Sequence, residues 1–248
     1  MAFNYSPKIS TDGLVLCLDA ANTKSYPGSG TVWSDLSRGG NNGTLTNGPT
    51  FNSANGGSIV FDGTNDHVSI LNGSFGYSPG TDGGFSLEIW VYPTGPYTSY
   101  TNEPPTTNLG GFFGQSYFGF TVGWGIGMYT SGGINYWSFQ TRSFSNIVQP
   151  PAVAFTNNSW YHVVGSFARN DFSRLYVNGE LKSSVSSTGL NGVSITPNTN
   201  NAAIARGGRD STVFFSGCKI PISKVYNRAL SATEVLQNYN ATKGRYGL

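Results

Sequence analysis

The side chains best suited to catalysis are few in this chain. It contains four glutamates, at positions 88, 103, 180 and 234, and two histidines, His67 and His162. A retaining glycosidase needs two carboxyl groups about 5 Å apart, one as nucleophile and one as acid, and these glutamates are too widely spaced in the sequence to share one strand. We expect Glu234 to cap a helix, Glu88 to face out or toward the second sheet, and both histidines to be structural. These patterns predict a protein that is not an enzyme.

Oxygen-bearing side chains at two places could bind calcium, which takes six to eight oxygen ligands, often from loops. Asp62 and Asp66 bracket a tight turn, and Asp19 with Asn22 ends the first predicted strand. The same residue types also form Asx-turns, in which the side chain bonds to its own following backbone. Both interpretations stay open, so calcium is a candidate cofactor. No cysteines and histidines are clustered with the spacing of a zinc site.

Exposed aromatic rings could bind sugars, whose C–H faces stack on them. Residues 94–158 depart from the strand rhythm of the remaining chain and are rich in Pro, Gly and aromatic residues. Long loops on a rigid scaffold often carry binding residues. We expect Trp33, Trp90 and Trp160 to belong to the core. The candidate carbohydrate-binding residues are Trp124, Tyr129, Tyr136 and Trp137.

Composition narrows the class of protein. Charged residues make up 10% of the 248 residues, against a usual quarter or so, while there are 34 glycines and 14% aromatic residues. These values favour many short strands, tight turns and an aromatic core. The net charge of +2 comes from scattered Lys and Arg, which argues against nucleic-acid binding. No apolar run approaches the ~20 residues that cross a bilayer, so membrane insertion is not expected, and the N-terminus lacks the features of a signal peptide.

Alternating apolar and polar residues predict β-strands along the whole chain. Asn178-Gly179 is the strongest hairpin signal, because both central residues of that turn need positive φ. Pro221 predicts an edge position or a bulge in its strand. The predicted strands cover 14–18, 58–62, 67–71, 85–92, 160–167, 173–177, 201–205 and 220–226.

One short helix is predicted near the C-terminus. Ser231 and Glu234 form a capping box, in which each side chain bonds to the other residue's backbone amide. Leu230 and Val235 occupy the positions of a hydrophobic staple. We expect about three turns, packed across one end of a sandwich.

The cysteines, Cys17 and Cys218, lie near opposite ends of the chain. Two interpretations stay open: two buried thiols, which is common for free cysteine, or a disulfide that joins the terminal strands.

Four motifs together resemble the laminin-G-like/concanavalin-A-like lectin superfamily. They are Phe-Asp-Gly-Thr-Asn-Asp at 61–66, Trp-Tyr-His at 160–162, Leu-Tyr-Val-Asn-Gly at 175–179 and Tyr-Asn-Arg-Ala-Leu-Ser at 226–231. The opening residues resemble a narrower branch that is common among proteins of tailed phages, particularly phages of marine bacteria. That resemblance rests on Gly-Leu-Val-Leu-Cys-Leu-Asp-Ala-Ala-Asn at 13–22, with 25–30 and 33–36.

The resemblance implies an all-β, two-sheet antiparallel jelly-roll sandwich, whose first and last strands lie close together. We expect one domain over 1–248, with the single C-terminal helix. Members of the superfamily are mostly adhesion, lectin or virion-decoration modules, and many bind calcium at edge loops. A minority are glycoside hydrolases, whose laminarinase type carries Glu-x-Asp-x-Glu on one strand, a pattern that this chain lacks.

The resulting hypothesis is a non-catalytic, virion-associated binding module of a bacteriophage, made in the host cytoplasm and carried on the capsid or the tail and fibres. Its expected partners are glycans, including host surface polysaccharide, and other virion proteins. A purely structural protein that binds only virion proteins, a divergent glycan hydrolase and an exported bacterial adhesin are the alternatives.

Overall fold

The computed structural model describes residues 8–71, 83–99, 109–115, 123–143, 146–190, 195, 201–209 and 212–248. The predicted elements are present in these ranges, and several are longer than predicted. In chain order the strands are β1 (Leu14–Asp19), β2 (Val32–Trp33), β3 (Gly43–Thr46), β4 (Thr50–Asn52), β5 (Ser58–Asp62), β6 (His67–Ile70), β7 (Gly84–Ser99), β8 (Leu109–Gln115), β9 (Gly123–Ser131), β10 (Ile134–Arg142), β11 (Ile147–Val148), β12 (Val153–Phe155), β13 (Tyr161–Ala168), β14 (Phe172–Val177), β15 (Glu180–Ser186), β16 (Ala202–Ile204), β17 (Arg206–Arg209) and β18 (Thr212–Tyr226). The helix α1 spans Ala232–Thr242, and short 3-10 turns span Ala54–Gly56, Thr188–Leu190 and Lys243–Tyr246.

The strands form two antiparallel sheets in the described part of the chain. Sheet A has the order β15-β14-β13-β7-β18-β5-β4, and β1 and β17 also pair with β18. Sheet B has the order β11-β10-β9-β8-β16-β6-β3-β2, and β12 also pairs with β10. The first strand pairs with the last, with Cys17 opposite Lys224. The predicted all-β jelly-roll sandwich with a C-terminal helix is confirmed.

The long strand β18 organises sheet A. One edge of β18 pairs with β7. Along its other edge, from the start of the strand to its end, β18 pairs first with β17, then with β5 and then with β1. The prediction for Pro221 is half right: β18 is an interior strand, but its register with β7 shifts between Lys219 and Ile222. The bulge tolerates a residue without an amide proton, and the Pro221 carbonyl accepts a bond from the Ala20 amide at 2.8 Å.

The core lies between the two sheets, as the alternation on β7 predicts. Phe85, Leu87, Ile89 and Val91 are all buried and face sheet B. The sheets approach closely at Gly165, where a Cβ atom would overlap the ring of Phe139. A larger residue would therefore push the sheets apart, since packed cores have little free volume.

The hairpin between β14 and β15 confirms the predicted turn. Asn178 and Gly179 have φ values of 52° and 80°, and Val177 pairs with Glu180. Two positive φ angles give the turn the twist that flanking strands require.

The helix α1 has its predicted cap but not its predicted position. The Ser231 hydroxyl accepts a bond from the Glu234 amide at 3.3 Å, and the Ser231 amide donates to Glu234 Oε2 at 3.0 Å. The expectation that the helix crosses an end of the sandwich is wrong, because Leu230 and Val235 pack on the outer face of sheet A. This cluster also contains Val164, Tyr176 and Tyr226. These residues point away from the core, and only a covering element can remove them from water.

Candidate functional site

Two of the four predicted sugar-binding aromatics lie in the core. Trp137 is fully buried and stacks on Phe155, with ring centroids 4.0 Å apart. Trp124 is 5% exposed and lies 5.7 Å from the ring of Phe85. Both occupy the strand positions that face sheet A, so the prediction of an exposed platform is wrong for these two indoles.

The other two predicted aromatics form a pair on the outer face of sheet B. Tyr129 on β9 lies opposite Tyr136 on β10, and their rings stack with centroids 5.3 Å apart and an angle of 18°. Both are partly exposed. They stand next to the tight turn at Gly132 and Gly133, where φ is 57° and 77°. The hairpin therefore holds two rings in a defined position on a surface.

A second aromatic surface lies on sheet A and was missed by sequence reasoning. Lys219 on β18 lies opposite Tyr92 on β7, and Trp160, the residue before β13, lies on the other side of Tyr92. We call these three residues the Tyr92 row. Trp160 was expected in the core, but it is partly exposed. The alternation of β7, which directs Tyr92 to the side opposite Val91, is the sequence signal that could have located this row.

The covered part of the same face contains a buried charge network. Glu88 is fully buried; Lys224 Nζ donates to its Oε1 at 2.7 Å, and Asn238 of α1 donates to its Oε2 at 2.6 Å. His162 Nε2 lies 3.1 Å from Oε1. Glu88 therefore points out from the sandwich, which is one of the two expected directions, but it lies under α1 and not in solvent.

The electrostatics of Glu88 follow from these contacts. Burial by itself raises the pKa of this carboxyl, but the Lys224 charge and the close contact with His162 outweigh it and lower the pKa to about 2. A carboxylate that stays ionised and is held on both oxygens is a structural ion, not an acid that is ready to donate a proton.

Asp19 and Asn22, predicted as calcium ligands, have other partners. Both oxygens of Asp19 accept bonds from Arg245 Nη1, at 2.9 and 3.0 Å, and Oδ1 also accepts the Ala21 amide at 3.0 Å. Asn22 Oδ1 accepts the Lys24 amide at 3.0 Å, which is an Asx-turn.

Asp62 and Asp66 form a self-contained loop. Asp62 Oδ1 accepts the amides of Thr64 and Asn65 at 2.7 and 3.4 Å, and Asp66 Oδ2 accepts the Asp62 amide at 3.2 Å. Burial raises the pKa of Asp62, but these amides outweigh it and leave the pKa lowered. In Asp66 burial dominates, and its pKa is raised.

The predicted calcium ligands do not come together. Asp19 pairs with Ile222 and Asp62 with Gly217, five residues apart on β18, which is about 17 Å along a strand. The described ranges contain no group of three or more His, Cys, Asp or Glu side chains placed to hold a metal ion. The described residues at these two places therefore do not fit a calcium site.

Two further glutamates and the second histidine also have structural partners. Glu180 pairs with Lys182 at 2.5 Å, and Glu234 with Arg228. His67 Nδ1 lies 3.0 Å from the carbonyl oxygen of Asn65. A Gly-x-Ser-x-Gly spacing at 76–80 falls outside the described residues; it indicates a nucleophile elbow only between a strand and a helix.

Comparison with protein families identifies the sandwich. A family model of the laminin G type matches residues 62–236. Its description is the concanavalin A-like lectin/glucanases superfamily. The chain belongs to this superfamily. The match includes three of the motifs singled out in the sequence and most of the fourth. Comparison with curated proteins gives no match.

Solved structures support the concanavalin A-like fold. The binding domain of botulinum neurotoxin serotype G has a TM-score of 0.59 and 17% identity, over 91% of this chain and 50% of that chain. The binding domain of botulinum neurotoxin DC in complex with SialylT gives 0.62 and 12%, over 94% and 52%. A Trypanosoma rangeli sialidase mutant gives 0.62 and 17%, over 96% and 34%. This concanavalin A-like chain therefore spans about half, or about a third, of the length of these proteins, and the likeness concerns the fold alone.

Among the described residues, no helix of this superfamily member has the length and apolar character needed to span a membrane.

Proposed function

We propose that this chain is a non-catalytic glycan-binding module that contacts sugars through Tyr129 and Tyr136. The proposal rests on one observation: two partly exposed rings are held side by side on the outer face of sheet B. Such rings offer apolar faces to the C–H groups of a sugar and hydroxyls to its oxygens. Similar structures agree with this use of the scaffold, since several are binding domains and one is a complex with SialylT.

The non-catalytic part of the proposal is supported by the acids. Glu88, Glu180 and Glu234 each pair with a basic side chain. A glycosidase instead needs two carboxyl groups that face one sugar. One similar structure is a sialidase, so the hydrolase alternative needs a direct assay: release of reducing sugar from any glycan that the protein binds would contradict the proposal.

We also propose that the module is carried on a bacteriophage particle, on the capsid or the tail and fibres. The resemblance of residues 13–22, 25–30 and 33–36 to tailed-phage proteins supports this location. Many copies on one particle would convert weak sugar contacts into useful avidity. Immunogold labelling of purified particles would test the location, and labelling confined to host debris would contradict it.

The glycan proposal is tested on a broad glycan array with the double variant Tyr129→Ala/Tyr136→Ala. We expect the wild type to bind at least one glycan and the double variant to lose most of that signal. Phe172→Ala is the matched control, because Phe172 is an exposed aromatic on sheet A, with 42% of its surface accessible. Circular dichroism would establish that all variants are folded. Equal binding by the wild type and the double variant would exclude the tyrosine pair as the site.

Calcium is tested in the same experiment by repeating the array with a chelator. Because Asp19 is held by Arg245 and Asp62 by backbone amides, we expect binding to survive the chelator. Loss of binding would support the calcium-dependent lectin that the sequence left open.

A second candidate function is that of a structural protein that binds only other virion proteins. The specific observation in its favour is the exposure of two leucines, Leu181 at 50% and Leu236 at 46%. A folded protein that binds no glycan on the array, and whose Leu181→Ser/Leu236→Ser variant no longer incorporates into particles, would favour this candidate.

A further inference from the structure

The outer face of sheet A is covered at one end and open at the other. The covered end lies beneath α1 and the turn Lys243–Tyr246. There the Trp90 indole donates to the Thr242 hydroxyl at 2.8 Å, and Tyr246 lies against Trp90 with ring centroids 4.2 Å apart. The Tyr92 row begins where this cover ends.

The open Tyr92 row presents two rings and one cation. The rings of Tyr92 and Trp160 lie 5.1 Å apart at an angle of 58°, and Lys219 Nζ lies 5.1 Å from the Tyr92 ring centroid. Trp160 also contacts the buried ring of Tyr246 at 4.6 Å. Because Tyr246 packs against one side of the Trp160 ring, the ring is already held in place before a ligand arrives. Binding therefore costs less entropy than binding to a freely rotating side chain would.

The charge of Lys219 has no acidic partner in the described part of the chain. Asp62, the acid on the neighbouring strand β5, accepts the amides of Thr64 and Asn65. Arg245, at the border of the covered region, is already paired with Asp19. The Tyr92 row therefore combines apolar rings with an unneutralised positive charge.

We propose that the Tyr92 row is a second binding site, for the carboxylated sugars of an acidic polysaccharide. The sugar ring packs on Trp160 and Tyr92, and its carboxylate pairs with Lys219, which is a charge-assisted contact. This inference goes beyond the proposed function, since it concerns the other sheet and a charged class of ligand. It does not depend on the tyrosine pair of sheet B.

Tryptophan fluorescence offers a direct test. All five tryptophans lie in the described residues, and four of them are buried, whereas Trp160 is partly exposed. The probes are polygalacturonate, alginate and hyaluronan, with methyl-esterified polygalacturonate as the uncharged counterpart. We expect at least one acidic probe to change the emission and to protect it from acrylamide quenching, and the ester to have a much weaker effect.

Lys219→Gln is the decisive variant, because it removes the charge from a partly exposed side chain and should leave the fold intact. We expect it to weaken binding of the acidic probe about fivefold, the size typical of losing one partly exposed ion pair. Lys182→Gln is the control, since Lys182 is an exposed lysine elsewhere on sheet A. Failure of all three acidic probes to bind the wild type, or equal binding by wild type and Lys219→Gln, would overturn the proposal.

The tyrosine variant separates this inference from the proposed function. Tyr129→Ala/Tyr136→Ala should bind the acidic probe as the wild type does. If this variant loses the acidic probe while Lys219→Gln keeps it, the glycan site of sheet B stands and the Tyr92 row is excluded. If Lys219→Gln alone loses the probe, the Tyr92 row is supported whatever the array shows for the tyrosine pair.

Discussion

Glu88 remains charged in a fully buried position because Lys224, His162 and Asn238 surround its carboxylate. Removing one member of a buried ion pair leaves the other member without compensation, which costs far more than the pair contributes at a surface. The bond from Asn238 also connects the helix to the sheet. Glu88 therefore serves stability and the attachment of α1.

We predict that Glu88→Gln lowers the free energy of unfolding by about 3–5 kcal/mol, because it leaves Lys224 buried and unpaired. Urea denaturation at neutral pH measures this change. Glu180→Gln is the matched control; its pair with Lys182 is exposed, so we expect little or no change in the free energy of unfolding. Equal effects of the two substitutions would show that the buried network does not stabilise the fold.

Wild type and Glu88→Gln should also differ in how their stability depends on acid pH. The pKa of Glu88 is about 2 in the folded chain against an ordinary 4.5, so its stabilisation is present above pH 4.5 and is lost as the pH falls toward 2. The stability difference between wild type and Glu88→Gln should therefore narrow over this range. A difference that is constant from pH 7 to pH 2 would contradict a charged Glu88.

At the scale of elements, α1 depends on its cap and on the sheet beneath it. Its first turn is closed by Ser231 and Glu234, and Arg228 holds the same glutamate from the preceding loop. An isolated helix of three turns is only marginally stable in water. Packing of Leu230 and Val235 on sheet A supplies the remaining stability.

We predict that Ser231→Ala destabilises the protein by about 1 kcal/mol, the usual loss for an N-cap hydroxyl. Hydrogen exchange should become faster first at the amides of Glu234 and Val235, in the first turn. Thr233→Ala, an exposed change in that turn, serves as the control and should alter neither quantity appreciably. Unchanged exchange at Glu234 in Ser231→Ala would argue against the capping box.

At the scale of the whole molecule, the two faces of sheet A have different surroundings. Cys218 belongs to the core between the sheets, whereas Cys17 alternates with the core residues Leu16 and Leu18 and points outward. Cys17 lies opposite Lys224 on β18, and Lys224 is six residues along that strand from Cys218. A disulfide needs Cα atoms closer than about 7 Å, so the structure resolves the open question in favour of two thiols.

Thiol titration with Ellman's reagent tests this arrangement. Both cysteines are buried, and burial raises the pKa of Cys17 to about 11, so we expect almost no reaction in the folded protein. In urea without a reductant, two thiols should react per chain. No reaction in urea would reveal a disulfide and would be incompatible with the described sandwich.

Local chemistry determined much of this protein. The alternation at 85–92, the positive-φ pair Asn178-Gly179 and the box of Ser231 and Glu234 depend on neighbours within a few residues. Elements of this kind were predicted correctly. The resemblance of whole motifs supplied the sandwich and the closeness of its first and last strands.

Only the tertiary structure decided which faces are covered. Alternation separates two sides of a strand, but it does not reveal whether the outer side meets water or another element. For that reason Glu88 was not placed beneath α1, Trp124 and Trp137 were expected at the surface, and Trp160 was expected in the core. Burial is set by contacts between residues far apart in the chain, such as Asn238 with Glu88, and no local pattern specifies them.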